Sequence, residues 1–225
     1  MNTSPTQLAG FDCFCRSIRG AAGAGGDFCE LICPDIDGLV LGIGTLFGGG
    51  PAGSLLVRGL SATLHARAAR GGAVEDIADE LNRTLWEISP DRTFAALFCA
   101  RIDKARHDME YVNAGNESAL LIPRGFDTGR CGAVDYLGPN GPVLGLSRKS
   151  RYHSRTVRFG PGDTLAAFTE GAADRACAVL NGANPGNARE LAGMIVAADC
   201  GASDCETDRT AVTIHFERAL RMAAA

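Results

Sequence analysis

"LGIGTLFGGGPAG", residues Leu41–Gly53, is a glycine-dense run that follows an apolar stretch and opens onto a helix-like pattern. Loops of this kind bring backbone close to a ligand, often a phosphate or a metal. Two nucleotide-binding readings fail on spacing. A dinucleotide fingerprint needs G-x-G-x-x-G with an acidic residue further on, but Gly42, Gly44 and Gly48 are one residue too widely spread and no second βαβ unit follows. A P-loop needs Gly-Lys-Ser/Thr, whereas Gly50 is followed by Pro51 and Ala52. The simplest reading is a tight strand-to-helix turn. Glycine supplies unusual backbone angles there, and Pro51 suits a first helical position.

The chain of 225 residues is long enough for one domain with a full core and short for two. Its formal charge of −4 argues against nucleic-acid binding, which needs a basic face. The opening "MNTSPTQLAG" has no positive region followed by an apolar one, so no secretory signal is expected. No apolar run reaches the length of a membrane span. The expected address is the cytoplasm. Among the nine cysteines, Cys13-x-Cys15, Cys29-x3-Cys33 and Cys200-x4-Cys205 are the closest groups, and no paired C-x2-C occurs. A structural zinc site is therefore a poor fit, and reduced thiols are expected. Cys13 with Cys15, and Cys29 with Cys33, are separated by even numbers, which places each pair on one strand face as small buried hydrophobes.

The remaining pattern reads as follows. "GFDCFCRSIR" is a first strand, the segment ending "DFCELICP" a second and "GLVLGIGTL" a third. From Pro51 to Arg70, Leu55, Leu56, Leu60 and Leu64 recur at helical spacing. After Gly71-Gly72 a second helix runs from Val74 to Ile88, with Ile77, Leu81 and Leu85 on its buried stripe. "TFAALFCARID", "MEYVNAG" and "SALLIPR" read as a meander, and "YHSRTVRF" and "DTLAAFT" as two further strands. Short helices are expected around 172–180 and 188–198, and "TAVTIHFE" closes the chain as a strand. Runs of strands with paired helices between them indicate α+β with antiparallel sheets.

In that order, "GGDF", "VLGIGT", "FGGGPAGSLL", Leu81-Asn82, "NAGN" (Asn113–Asn116), "GPVLGL", "FGPGDTLAAFTEG" and "TDRTAV" together resemble the bacterial SpoIIE/RsbU branch of the PP2C (PPM) phosphatases. The resemblance extends from about Phe11 to Phe216, with residues 1–10 as an extension and 218–225 as a tail. It implies a PP2C-like sandwich of two antiparallel β-sheets flanked by helices, and a Mn²⁺ or Mg²⁺ centre between the sheets. Hard cations of that kind prefer oxygen ligands, and a pair of them activates water for attack on a phosphomonoester. The acidic ligands of the family come from GGD, IGD, TDG and a late DD-x-T or DN-x-T motif.

Carried over position by position, the resemblance makes Asp27, Glu170 and Asp208 the candidate metal residues. Gly48, Gly49, Gly50 and Asn116 line the site. Two positions depart from the family pattern: Thr45 stands at the bridging IGD position and Thr207 at the usual late ligand position. Asn116 stands where His is common. Opposite unit charges ~4 Å apart attract by roughly 4 kcal/mol at an effective dielectric of ~20, and a divalent ion gains about twice that before desolvation. Losing two carboxylates therefore predicts weak or absent Mn or Mg binding. Asp12, Glu30, Glu117 and Asp208 are near in sequence to the motifs, but no spacing requires them to rebuild a site. Glu170 reads equally as a solvated or capping residue, Asp208 as a turn residue, and Arg16 and Arg19 as a solvated face or a phosphate contact. The histidines His65, His107, His153 and His215 show no ligand spacing. Three functions remain open: a regulatory or binding pseudophosphatase module in partner-switching signalling, an active metal-dependent Ser/Thr phosphatase, and an unrelated use of the same fold, such as another hydrolase. By analogy the partner is a phosphoprotein or a STAS-like anti-sigma-factor antagonist, with no nucleic acid and no membrane.

Overall fold

The structure is a computed structural model that describes residues 10–20, 26–48, 50–89, 93–116, 119–123, 134–173, 176, 179, 187–197 and 207–217. The elements are β1 (Phe11–Ile18), β2 (Asp27–Ile32), β3 (Gly38–Phe47), α1 (Gly53–Ala68), α2 (Val74–Ile88), β4 (Phe94–Asp103), β5 (Asp108–Ala114), β6 (Ala119–Ile122), β7 (Asp135–Tyr136), β8 (Arg155–Arg158), β9 (Thr164–Phe168), α3 (Ala188–Val196) and β10 (Arg209–Phe216). They form two antiparallel five-stranded sheets, ordered β1-β10-β9-β6-β7 and β2-β3-β4-β5-β8. This is the PP2C-like α+β architecture.

Period-two alternation builds the layers. In β3, Leu39, Leu41 and Ile43 face the other sheet and join Cys13, Cys15, Phe98, Tyr111, Leu165, Val212 and Ile214 in the core between the sheets. Val40 and Leu46 face the opposite way, into the core under α1 and α2 with Leu60, Leu64, Ile77, Leu81 and Leu85. A third cluster beneath α3 contains Leu191 and Ile195 packed with Ala166, Phe168 and Ala211. Thr45 continues the inward series of Leu41 and Ile43, which aims a hydroxyl at the sandwich interior.

Several expectations are corrected. Leu55 is 70% exposed, because the buried stripe of α1 is Leu56, Leu60, Leu64 and Ala68 and Leu55 lies beside it. The helix starts at Gly53, after a 3₁₀ turn at Gly50–Ala52 that contains Pro51. The meander breaks after β5, since β6 pairs with β9 and β7 in the other sheet. Between β5 and β6 the chain passes from one sheet to the other. β7, two residues long, had no alternation to announce it. Cys33 is exposed beyond the end of β2, while Cys29 is half-buried. The helix expected at 172–180 begins as a 3₁₀ turn at Glu170–Ala172, and most of its later residues lie outside the described set, as do residues 1–9 and 218–225. Among the described residues no helix is long and apolar enough to cross a membrane.

Two glycines of β3 explain how closely the layers approach. A Cβ at Gly42 would run into the Leu64 side chain of α1, and one at Gly44 into the backbone carbonyl of Ala96 on β4 and the Phe28 ring. Leu64 is flexible, whereas the Ala96 carbonyl belongs to a paired strand and has nowhere to go. Gly44→Ala is therefore expected to destabilise by about 2–3 kcal/mol, measured by urea unfolding. Gly53→Ala, where an added methyl meets open space, serves as the comparison and is expected to be neutral or stabilising by up to ~1 kcal/mol.

Candidate functional site

The site begins with strand register. β2 and β3 run antiparallel with Asp27 directly opposite Thr45, so the two side chains share the inward face at the end of the hairpin. The Thr45 hydroxyl donates to Asp27 Oδ1 at 2.7 Å. Across the cleft, from the end of β9 in the other sheet, the Thr169 hydroxyl donates to Asp27 Oδ2 at 2.8 Å. Both carboxylate oxygens are therefore bound by threonines, one from each sheet.

A second layer supports the first. The backbone N–H of Thr210 donates to Thr169 Oγ1 at 3.0 Å, and Thr169 N–H donates to the Thr210 carbonyl at 2.9 Å. The Thr210 hydroxyl meets Ser17 Oγ at 2.8 Å. Thr169 and Thr210 are each 1% exposed. This cluster of hydroxyls around one carboxylate joins β1, β2, β3, β9 and β10.

Burial wins the electrostatic contest. It raises the Asp27 carboxyl above its ordinary range, against the lowering effect of the Thr45, Thr169 and Thr210 hydrogen bonds, while the negative charge of Asp208 pushes it further up. Neutral hydroxyl donors stabilise a carboxylate less than a cation would. They satisfy the lone pairs but do not supply the missing positive charge.

The structure brings only some of the sequence candidates together. Asp27 and Thr45 are in direct contact. Asp208 is close enough for its charge to act on Asp27, but its Oδ1 accepts from Gly20 N–H at 2.9 Å. Thr207 is exposed, and its hydroxyl lies against Gly171, where a Cβ would approach Thr207 Oγ1 to 3.0 Å and collide with the Asp208 carbonyl. The glycine of "TEG" thus lets that turn pack on "TDR". Glu170 opens the turn and is exposed. Gly48 and Gly50 take positive φ in an exposed loop, and Gly49 lies outside the described residues. Asn116 is buried behind the site: its side chain donates to the Phe168 carbonyl at 3.4 Å, next to Thr169.

Asp12 is engaged elsewhere. Asp12 faces outward and caps α3 by accepting from Ala188 N–H at 3.0 Å, and Glu117 lies outside the described residues. Arg16 and Arg19 are exposed, with the Arg16 guanidinium beside Gly193 of α3 on the outer face. His215 is paired with Thr164, Nδ1 to Oγ1 at 2.9 Å. Among the described residues no group of three or more His, Cys, Asp or Glu side chains is placed to hold a metal ion.

Thr169, Thr210 and Ser17 were not singled out from sequence. Their signal was alternation: Thr210 precedes Val212 and Ile214 on the inward face of β10, and Ser17 follows Cys13 and Cys15 on that of β1. A polar residue continuing an apolar inward series marks an internal hydrogen-bonding partner.

The family model for Stage II sporulation protein E (SpoIIE) matches residues 35–213. The chain belongs to the SpoIIE family. Thr45, Thr169, Glu170, Thr207 and Asp208 fall within the matched stretch, and Asp27 precedes it. Over 95% of its length the chain superposes on 63% of the structure of the RsbU and RsbW domains of Rv1364c from Mycobacterium tuberculosis, at TM-score 0.77 and 20% identity. It matches the PP2C phosphatase domain and regulatory-domain fragment of SpoIIE from Bacillus subtilis at TM-score 0.75 and 14% identity, covering 92% of this chain and 62% of that one. RsbX, solved in complex with magnesium, matches at TM-score 0.74 and 14% identity over 94% of this chain and 98% of its own. Protein IcfG of Synechocystis sp. is 28% identical over 81 residues, which is 36% of this chain and 12% of that protein. The chain thus spans under two thirds of the first two structures and a small part of IcfG. At these identities the structural matches establish a shared fold, the PP2C-like fold of the SpoIIE branch.

The raised Asp27 carboxyl has a pH signature. Its proton is held more tightly in the folded state than in the unfolded state, so Asp27 favours folding most at low pH. That contribution is lost as pH rises through the native-state ionisation, and is constant above it. Asp27→Asn removes the titration, and the rotatable hydroxyls can rebond to the amide. The stability of wild type minus that of Asp27→Asn, from urea unfolding, should fall as the pH is raised from 4 to 7. A difference that grows with pH would mean that the carboxylate is stabilised on folding.

Proposed function

We propose that this SpoIIE-family domain is a regulatory or binding module of partner-switching signalling, a pseudophosphatase whose metal site has degenerated into a hydroxyl cluster. The observation that carries this reading is the occupation of both Asp27 oxygens by threonine donors, at 2.7 Å from Thr45 and 2.8 Å from Thr169. A cation approaching those lone pairs would have to displace two short internal hydrogen bonds and would meet hydroxyl protons instead of anionic ligands. A Mn²⁺ or Mg²⁺ pair, when bound, supplies Lewis-acid activation of water for phosphomonoester hydrolysis. The donor set here, one buried carboxylate among neutral hydroxyls, fits such a pair poorly.

What the chain's own residues do instead is mechanical. Thr45 and Thr169 clamp Asp27 from opposite sheets, which fixes the cleft without a metal. By analogy with relatives named RsbU and RsbX, the surface around this cleft binds a phosphoprotein or a STAS-like anti-sigma-factor antagonist.

One observation favours the second reading, an active Mn- or Mg-dependent protein Ser/Thr phosphatase. Asp208 acts electrostatically on Asp27, so two carboxylates lie near one another and a cation between them would relieve both. Ligand restoration separates the two readings. Wild type is expected to show little Mn²⁺-dependent hydrolysis of a phosphoserine peptide or an aryl phosphate. Thr45→Asp should raise Mn²⁺ affinity at least tenfold, read by calorimetry. Adding Thr207→Asp should raise it further, and non-additively, because the two side chains would hold the same ions. Without metal, Thr45→Asp should destabilise by about 1–3 kcal/mol through two facing carboxylates. Robust Mn²⁺-dependent turnover by wild type would establish the enzyme reading instead.

A further inference from the structure

The segment "RKSRYHSRTVR", residues 148–158, holds five of the chain's 22 Lys and Arg residues and no acid, in a chain of formal charge −4. Its last four residues are β8, the outer strand of its sheet. The approach to β8 is pinned from behind. Tyr152 is buried, its N–H donating to Asp79 Oδ1 at 3.2 Å and its hydroxyl to Asn82 Oδ1 at 3.4 Å. The Ser154 hydroxyl donates to Glu75 Oε1 at 3.0 Å, and the His153 carbonyl accepts from Asn140 Nδ2 at 3.2 Å. Arg148, Lys149, Arg151, His153, Arg155 and Arg158 are all left exposed. Arg151 reaches Asp79 at 3.5 Å. Among the described residues Arg148, Lys149, Arg155 and Arg158 make no ion pair, although Asp108 stands opposite Arg158 in register.

The backbone of β8 is open on the same side. It pairs with β5, Arg155–Arg158 against Asp108–Tyr111, and the Phe159 N–H donates to the His107 carbonyl at 3.0 Å. Alternation from that bond turns the backbone groups of Val157 toward β5 and those of Thr156 and Arg158 away from it. Among the described residues no strand pairs with that outer edge. Charge on an edge strand also discourages self-pairing, but that role does not call for the cations at Arg148, Lys149 and Arg151, which precede the strand.

We propose that this ribbon is a docking edge for an acidic, extended segment of a partner protein, which adds to the sheet as a strand beyond β8. Hydrogen bonds to the outward backbone groups of Thr156 and Arg158 hold the segment, and its carboxylates meet the cations at 148, 149, 151, 155 and 158. The pinning by Asp79, Glu75 and Asn140 keeps the ribbon extended before the partner arrives, which lowers the ordering cost of binding. A nucleic-acid backbone or an anionic membrane would use the charge and leave the strand edge unpaired. β8 and β2 are the opposite edges of their sheet, roughly 19 Å apart at ~4.8 Å per strand. The inference therefore stands independently of whether the Asp27 cluster binds metal.

The test uses the full chain and a fluorescein-labelled peptide of alternating Glu and Thr, followed by fluorescence anisotropy and by amide hydrogen exchange. Binding is expected at low salt and should weaken at least tenfold as ionic strength rises from about 0.05 to about 0.3 M. Arg148→Gln combined with Arg151→Gln and Arg155→Gln should weaken it at least tenfold, whereas Arg58→Gln with Arg70→Gln, exposed cations of α1, should leave it unchanged. N-methylation of alternate peptide amides, which keeps the charge and removes strand pairing, should also weaken it about tenfold. Peptide should slow exchange at the Thr156 and Arg158 amides. Absence of binding at low salt, binding that leaves those two amides unprotected, or tighter binding of single-stranded RNA or of phosphatidylserine vesicles than of the peptide would each overturn the proposal. The wild-type exchange and the N-methyl comparison decide alone if the triple variant fails to fold.

Discussion

The hydrogen bond from Thr45 to Asp27 depends on a single feature of register. β2 and β3 pair so that these residues stand opposite one another at the open end of the hairpin, and alternation turns both inward. With Thr169 reaching the other carboxylate oxygen from the second sheet, one buried anion becomes the point at which the halves of the sandwich are joined. The resemblance to the PP2C family implies an acid at position 45; the hydroxyl that stands there satisfies one oxygen of Asp27 from within the chain.

The energetic logic follows from the balance at Asp27. Burying a carboxylate is costly, and neutral hydrogen bonds recover only part of the cost, which is why its carboxyl ends above the ordinary range despite three hydroxyl partners. A metal pair would remove that cost by charge. The hydroxyl network holds Asp27 in the cleft and is itself anchored: Thr169 to Thr210 in both directions, and the Thr210 hydroxyl to that of Ser17 across β1 and β10. The cluster is thereby held rigid.

Much of this was legible in the chain because strong periodicity survives folding. The stripe of Ile77, Leu81 and Leu85 and the alternation in β1, β3 and β10 identified helices and inward faces directly. Leu55 was misread because four leucines at mixed spacing offer two possible stripes, and only packing against β3 and α2 selects the one through Leu56. The β5-to-β6 crossing was hidden because strand pairing is a long-range property, and two consecutive strands read alike whether the second stays in the same sheet or leaves it. In the site, the missing acids at Thr45 and Thr207 were visible by comparison with the family motifs. The role of Thr169 was not, since its partner Asp27 is far away in the chain and comes from the other sheet.

The most direct test of the central claim, that Asp27 is satisfied by hydroxyls and not by a cation, is metal-linked stability. Urea unfolding of the full chain in EDTA and in ~1 mM Mn²⁺ should give coincident curves. A native site with a dissociation constant of ~10 μM would instead stabilise the fold by about 2.7 kcal/mol. A Mn²⁺-dependent shift of that size in wild type, lost in Asp27→Asn, would contradict the account.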